Sequence, residues 1–223
     1  MVTNMKLHAI LHTNWLATFR LNYNAGGWKA VWRMPIRVYG SLKVRLRGKI
    51  LLPSDAGKNM LVIQSDHEDY TASSGRAELN ILGTWKLNGS LRIGPDSCIA
   101  IDKGALLETG ADTYLGRDTQ IHCYHHISIG NRVFAGEMYV CDSTVHQILL
   151  DGNPKPLNGE VFIGDGAYLG FRTILLKGAV IPPESVVGSG SVCTSDYTEG
   201  GAEKLLICGN PAVVKTQAVT AKF

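Results

Sequence analysis

Between residues 163 and 192 large aliphatic side chains recur at every sixth position: Ile163, Leu169, Leu175, Ile181 and Val187. Glycine follows three of them, at Gly164, Gly170 and Gly188. A small or β-branched residue stands four places on, at Ala167, Thr173, Ala179, Ser185 and Ser191. Neither the 3.6-residue period of a helix nor the simple alternation of a half-buried strand holds such a beat. It is the hexapeptide repeat of a parallel β-helix, each unit giving one short strand and one corner. The aliphatic points into a triangular prism, the small residue fits the tightening corner, and glycine tolerates the backbone angles of the turn. Three units close a coil of 18 residues, so Ile163 is expected under Ile181 and Cys123 under Cys141.

The beat reaches back to Ile81, Leu87, Ile93 and Ile99, again six apart. It slips between Gly94 and Gly116, which are 22 residues apart, so a corner there must bulge. Residues 36–91 are less regular, although Lys43-Val44-Arg45-Leu46-Arg47 alternates as a strand with one wet face does. The polar stretch 65–75 reads as a loop. Ile129, Ala135 and Cys141 resume the repeat, which stops after His146 and restarts at Ile163. The intervening QILLDGNPKPLNGE, residues 147–160, predicts a loop extruded from a coil corner. Long loops on rigid scaffolds are where function concentrates. The repeat ends near Cys193, and residues 207–215 predict a turn and a short closing strand.

Residues 1–34 have no such beat. Leu7, Ile10, Leu11, Trp15, Ala17 and Phe19 suit a loose amphipathic helix closed by a turn at Asn24-Ala25-Gly26-Gly27. Trp28 and Trp32 then alternate with Lys29, Arg33 and Arg37. Two readings stand: a cap over the open end of the solenoid, or a peripheral foot on an anionic membrane. The expected organisation is therefore a cap at 1–34, an all-β helical domain at 35–215 and a tail at 216–223.

Composition narrows the partners. A formal net charge of +3 over 223 residues, with no basic run, argues against nucleic acid. The five cysteines are odd in number and form no CxxC pair, which reads as reduced thiols of a cytoplasmic protein rather than disulfides or a zinc site. No signal-peptide core and no apolar run long enough to span a bilayer is visible.

Three segments in order, VCDSTVH (140–146), IGDGAYLGFRTILLKGAVIPPESVVGSGSVCT (163–194) and CGNPAVV (208–214), resemble the hexapeptide-repeat acyltransferases, most closely their sugar and capsular-polysaccharide O-acetyltransferase branch. The resemblance covers roughly residues 81–215. It implies a left-handed sense for the β-helix, which spacing alone does not dictate, together with acetyl-CoA as co-substrate, a homotrimer and direct transfer to a hydroxyl. A sugar hydroxyl barely ionises at neutral pH, so attack on a thioester needs a positioned base. His146 matches the family's catalytic histidine. Asp142 is a candidate to orient it or to bind the sugar, and Tyr168 replaces the family's tryptophan as an aromatic wall. Thr144 stands where the family often has a second aspartate, and Gln147 where it has proline. By the same resemblance CoA follows Gly170, Phe171, Ser189, Thr194 and Ser195. A backbone N–H near Gly170 or Ser189 is a candidate to steady the thioester oxygen, and Lys177 and Lys215 are the nearest cations for its phosphates.

Other readings remain open. The cluster His122-Cys123-Tyr124-His125-His126 invites a zinc site, but its spacing does not match the histidine-ligated carbonic anhydrases of this fold, and no metal is expected. His125 and His126 stand instead as candidate sugar contacts. Ser143 near His146 admits an acyl-enzyme route. Acetylation of an amino-sugar nitrogen, or an inactive β-helix that binds glycan or scaffolds a complex, are the alternatives. The two readings of His146 and Tyr168 as members of one site require a further step. The repeat places them at different corners of the prism, roughly 15 Å apart, so a shared site implies that a neighbouring subunit supplies one of them.

Overall fold

The computed structural model describes residues 11–65 and 75–219, so most of the loop expected at 65–75, and Leu7 and Ile10 of the expected helix, lie outside the described residues. Apart from one helix, Trp15–Arg33, and a single 3-10 turn, the described elements are short strands. They wind into a parallel β-helix whose three faces are sheets of nine, seven and six strands. The strands of successive coils pair in parallel: Ile163 on Ile181, Leu169 on Val187, Leu175 on Cys193. The aliphatics of the beat, with Ala167 and Ala179, lie in one continuous core, and Thr173, Ser185 and Ser191 are also buried.

Two features of the corner separate here. Gly164 and Gly170 are not in a left-handed conformation; a Cβ on Gly164 would meet the backbone N of Pro183 at 2.5 Å, and one on Gly170 that of Ser189 at 2.7 Å. These glycines let the coil above approach. The left-handed residues come two places later and keep the same beat: Gly166, Arg172, Gly178, Glu184 and Gly190, with φ of 67°, 57°, 81°, 55° and 71°. Arg172 and Glu184 occupy that region at a cost of roughly 1–2 kcal/mol each, which the stacked coils offset.

The 18-residue coil holds only near the end of the prism. Ile93 pairs with Leu115, 22 residues on, so the expected bulge is present. Gln120 pairs with Tyr139, 19 residues on. That single extra residue corrects the expected cysteine stack. Cys141 pairs with His122, and Asp142 comes to lie beside Cys123, its Oδ2 3.8 Å from Sγ. The repeat also runs past Cys193: Leu206–Gly209 adds a parallel strand beside Val186–Val187, and Ala212–Thr216 folds back on it antiparallel.

The opposite end is closed by the helix. Asn14 caps it, its side chain accepting from Ala17 N at 3.1 Å. The expected turn at 24–27 is a kink inside the helix, where Gly26 and Gly27 leave helical geometry, and Trp28–Arg33 is helical beyond it. The inner face carries Ala17, Thr18, Leu21 and Asn22, all buried. Strand edges leave unpaired N–H and C=O groups that must find partners. Asn22 supplies them for Ile36, accepting from its N–H at 3.0 Å and donating to its C=O at 2.8 Å. Thr18 accepts from Val38 N at 3.2 Å and Asn24 from Ile50 N at 3.0 Å. No helix among the described residues is long and apolar enough to cross a membrane.

Replacing Asn22 by alanine orphans both backbone groups of buried Ile36. Asn22→Ala is expected to lower unfolding stability by about 2–4 kcal/mol, read by denaturant titration, whereas the same change at exposed Asn153 is expected to fall within about 0.5 kcal/mol of wild type.

Candidate functional site

The strand Met138–Cys141 ends at the corner between the seven- and six-stranded sheets, and the chain rejoins the prism only at Val161–Ile163. Residues 142–160 form an arm with its own hairpin, in which Leu149–Leu150 pairs antiparallel with Asn153–Pro154. Asp151 and Gly152, with φ of 51° and 76°, supply the two positive-φ residues of a tight hairpin turn. The root is sewn shut by Thr144 N to Leu157 O at 2.9 Å and Gly159 N to Asp142 O at 2.9 Å. Lys177, a candidate phosphate ligand, instead donates to Pro156 O of the arm. Ile148, Leu149, Leu150 and Leu157 of the arm are exposed.

His146 stands at the root of this arm, exposed. Its backbone N–H donates to Thr144 O at 2.6 Å, and the Thr144 hydroxyl donates to its C=O at 3.0 Å. The preceding Val145 has φ of 61°, a region that a β-branched side chain enters only under constraint, at about 1–3 kcal/mol. The constraint is visible: Val145 N donates to Ser143 Oγ at 3.0 Å, and that hydroxyl reaches Leu157 O at 3.3 Å. Ser143 is thus held in the arm root. The imidazole of His146 makes no hydrogen bond to the chain among the described residues.

Asp142 is fully buried beside that histidine in sequence but faces the coil below. Its Oδ1 accepts from Tyr124 N at 2.7 Å and its Oδ2 from His125 N at 2.8 Å. It pins the corner from which the arm springs, a different employment from the ring-orienting or sugar-binding one expected. Desolvation, reinforced by this carboxylate, pushes the Cys123 thiol up to about 12, which leaves it protonated and inert at neutral pH.

The three histidines of the sequence cluster diverge. His122 points out of the seven-stranded sheet, half-buried against Tyr139 with ring centroids 5.4 Å apart, and burial lowers its pKa. His126 lies on the six-stranded sheet between two carboxylates, Nε2 3.2 Å from Glu108 and Nδ1 3.4 Å from Glu160. Glu108 is itself bonded to Lys86 at 2.7 Å, which with His126 holds its carboxyl below the usual range. His125 is more open, 3.9 Å from Glu160 at the returning root of the arm. Among the described residues no group of three His, Cys, Asp or Glu side chains is placed to hold a metal ion.

Tyr168 belongs to the nine-stranded sheet, its ring stacked on Phe134 with centroids 5.9 Å apart and planes within 6°. Tyr114 continues the stack at 5.0 Å from Phe134. Sequence reasoning missed Tyr114 and Phe134, although each stands one place before a core position of the repeat, as Tyr168 does. It missed Glu108 and Glu160 with no comparable signal. The candidate CoA residues divide between corners. Gly170, Phe171 and Ser189 lie where the nine- and seven-stranded sheets meet; Thr194 and Ser195 lie with Lys177 at the corner that bears the arm. Gly170 N donates to Val187 O at 2.9 Å and Phe171 N to Ser189 Oγ at 3.2 Å, so of the two expected thioester donors the one at Gly170 already has an acceptor. Lys215 is in the closing strand Ala212–Thr216, away from the arm's corner.

No family model matches the chain. It is 29% identical over 99 residues to a galactoside O-acetyltransferase of Lactococcus lactis, a match covering 44% of this chain and 46% of that protein. The chain therefore spans less than half the length of that curated relative in the match. The crystal structure of the polySia specific acetyltransferase NeuO superposes with a TM-score of 0.51 at 16% identity, over 85% of this chain and 79% of that one. That of the polysialic acid O-acetyltransferase OatWY gives 0.43 at 18% identity, over 82% and 87%. The likeness to NeuO shows the fold, the left-handed parallel β-helix of the hexapeptide-repeat acetyltransferases.

Asn at position 142 keeps the shape of the side chain but turns an NH2 toward one of two backbone donors. Asp142→Asn is expected to cost about 1–3 kcal/mol and to open the arm, read as protease cleavage within residues 147–160 while the prism stays intact.

Proposed function

We propose that this chain is an acetyl-CoA-dependent O-acetyltransferase that acylates a hydroxyl of a sugar or a cell-surface polysaccharide. The observation that carries the reading is His146: an exposed imidazole without a bond to its own chain among the described residues, fixed on a strained corner at the root of an extruded arm. The matching galactoside O-acetyltransferase and the NeuO-like fold support it. In direct transfer, the imidazole takes the proton of the acceptor hydroxyl as that oxygen attacks the thioester carbonyl. The tetrahedral intermediate then expels the CoA thiolate, which receives the proton back from the imidazolium. His125, open at the same corner, is a candidate acceptor contact, while His126 is engaged by its two carboxylates. Ser143, held in the arm root, is not used as a nucleophile in this scheme.

The site is proposed to be completed in a homotrimer. His146 and Tyr168 sit on parts of the prism separated by the seven-stranded face, which supports a site built from two subunits. A closed threefold ring brings the arm's corner of one copy against the opposite corner of the next. It also gives the arm's exposed Ile148, Leu149 and Leu150 a surface to cover. A cytoplasmic location suits an acetyl-CoA donor and unpaired cysteines, and is part of this proposal.

One observation favours a second reading, an inactive glycan-binding β-helix: the nearby carboxylate of Asp142 is bonded to backbone rather than to the histidine ring. Release of CoA thiol in the presence of a sugar panel separates the two, since the inactive protein releases none. His146→Ala is expected to reduce kcat by about two to four orders of magnitude with little change in CoA affinity; near-wild-type turnover would remove His146 from the mechanism. Mixing His146→Ala chains with Tyr168→Ala chains after mild dissociation is expected to restore part of the activity. A fully active monomer, or verified mixed trimers without recovery, would refute the shared site.

A further inference from the structure

The helix that closes the prism has a second face, which the fold leaves unused. Opposite buried Ala17, Thr18, Leu21 and Asn22 stand Leu16, Phe19, Arg20 and Tyr23, at helical spacing and all exposed. Trp15 touches Phe19 with ring centroids 6.0 Å apart, and Tyr23 meets Trp28 edge-on at 5.7 Å across the glycine kink. Trp32 lies one further turn along and is 86% exposed, with Trp28 at 70%. The result is one ridge of aromatic and aliphatic side chains along the outer side of the cap. It is not the exposed face of an ordinary capping helix, which is polar.

Charge supplies the second, independent observation. The first 54 residues carry nine of the chain's 22 lysines and arginines and none of its 19 aspartates and glutamates, although the whole chain is only +3. Arg20, Lys29 and Arg33 flank the ridge, and Lys43, Arg45, Arg47 and Lys49 alternate outward along the first coil beside it. Lys43 pairs with Glu78, at 2.9 Å, and among the described residues Arg20 and Arg33 reach backbone carbonyls, of Val44 and Ser54. The helix meets the first coil at Val44 and Gly48, so these cations border the aromatic ridge at one end of the prism.

We propose that this surface is a peripheral docking site for an anionic lipid bilayer, with the ridge inserted among the headgroups. Tryptophan and tyrosine favour that layer because each offers an apolar body and a polar edge. The cations meet the negative surface potential, each at short range. The kink at Gly26-Gly27 lets the two helical halves lie along one plane while the inner side chains keep their bonds to the first coil. The arm leaves the prism four strand spacings from the first coil, about 20 Å at about 4.8 Å each, and the cap helix lies between that coil and the lipid. The inference deepens the proposed function by presenting the acceptor as a glycan at the membrane surface. In the threefold assembly the three caps face the same way, so weak single feet add as linked sites do.

The test is sedimentation of the full chain with phosphatidylcholine vesicles, with and without phosphatidylglycerol, alongside tryptophan emission. Fully buried Trp85 gives a constant background. The expected result is binding to the anionic vesicles only, a blue shift, and loss of binding as salt rises. Trp28→Ser/Trp32→Ser and Lys29→Glu/Arg33→Glu, all at exposed positions, are each expected to weaken that binding about tenfold or more without altering thermal unfolding. Absence of binding by the wild type, equal binding to neutral vesicles, or variants that bind like the wild type would overturn the proposal. So would vesicle-free self-association that Trp28→Ser/Trp32→Ser abolishes, because the ridge would then be covered by a second copy. Thiol release with a soluble acceptor is measured on the same samples: its failure counts against the transferase reading, and failure to bind vesicles counts against the membrane site alone.

Discussion

The structure depends on one constraint, the close stacking of each coil on the one below. Parallel strands settle about 4.8 Å apart, so what fills a position in one coil must fit the same position in the next. Ile163 beneath Ile181 and Leu169 beneath Val187 satisfy this inside the prism. At the corners the same closeness excludes a Cβ, which is why Gly164 sits under Pro183 and Gly170 under Ser189. The turn itself is made two places later by a left-handed residue, and there Arg172 and Glu184 serve as well as Gly166 and Gly178.

A stack of this kind has two open ends, and the chain closes them differently. At the start, amide and hydroxyl side chains of a helix take the place of a missing strand, with Asn22, Thr18 and Asn24 bonding to the backbone of the first coil. At the finish, the chain reverses at Asn210-Pro211 and covers its last parallel strand with an antiparallel one. The first solution leaves an entire helix face free, and that face carries the aromatic ridge and the cations.

The residues of the candidate site gather where the stacking is interrupted. The extra residue between Gln120 and Tyr139 shifts the register by one, bringing Asp142 against the backbone of Tyr124 and His125. That buried carboxylate, the Ser143 hydroxyl and the left-handed Val145 fix the corner from which the arm departs. The arm returns at Glu160, which meets His125 and His126. The same interruption therefore fixes the backbone at His146 and brings Glu160 to His125 and His126.

The sequence by itself determined the architecture. A six-residue beat of aliphatics with small corner residues admits a β-helix and little else, and the pause between Cys141 and Ile163 marked the arm, with Asp151-Gly152 available to announce its hairpin. The residues of the cap were also legible as an element outside the repeat. What only the tertiary structure decided are the facts of register and direction. Cys141 over His122 rather than Cys123, Asp142 turned inward, and His126 between Glu108 and Glu160 each depend on how many residues a given corner holds. Nothing local in the chain counts those residues. The division of the expected CoA residues between two corners has the same origin, because positions equivalent in the repeat lie on different edges of the prism. Periodicity is a property of neighbours along the chain and can be read from it; partnership across coils is set by accumulated corner lengths and exists only once the prism is wound.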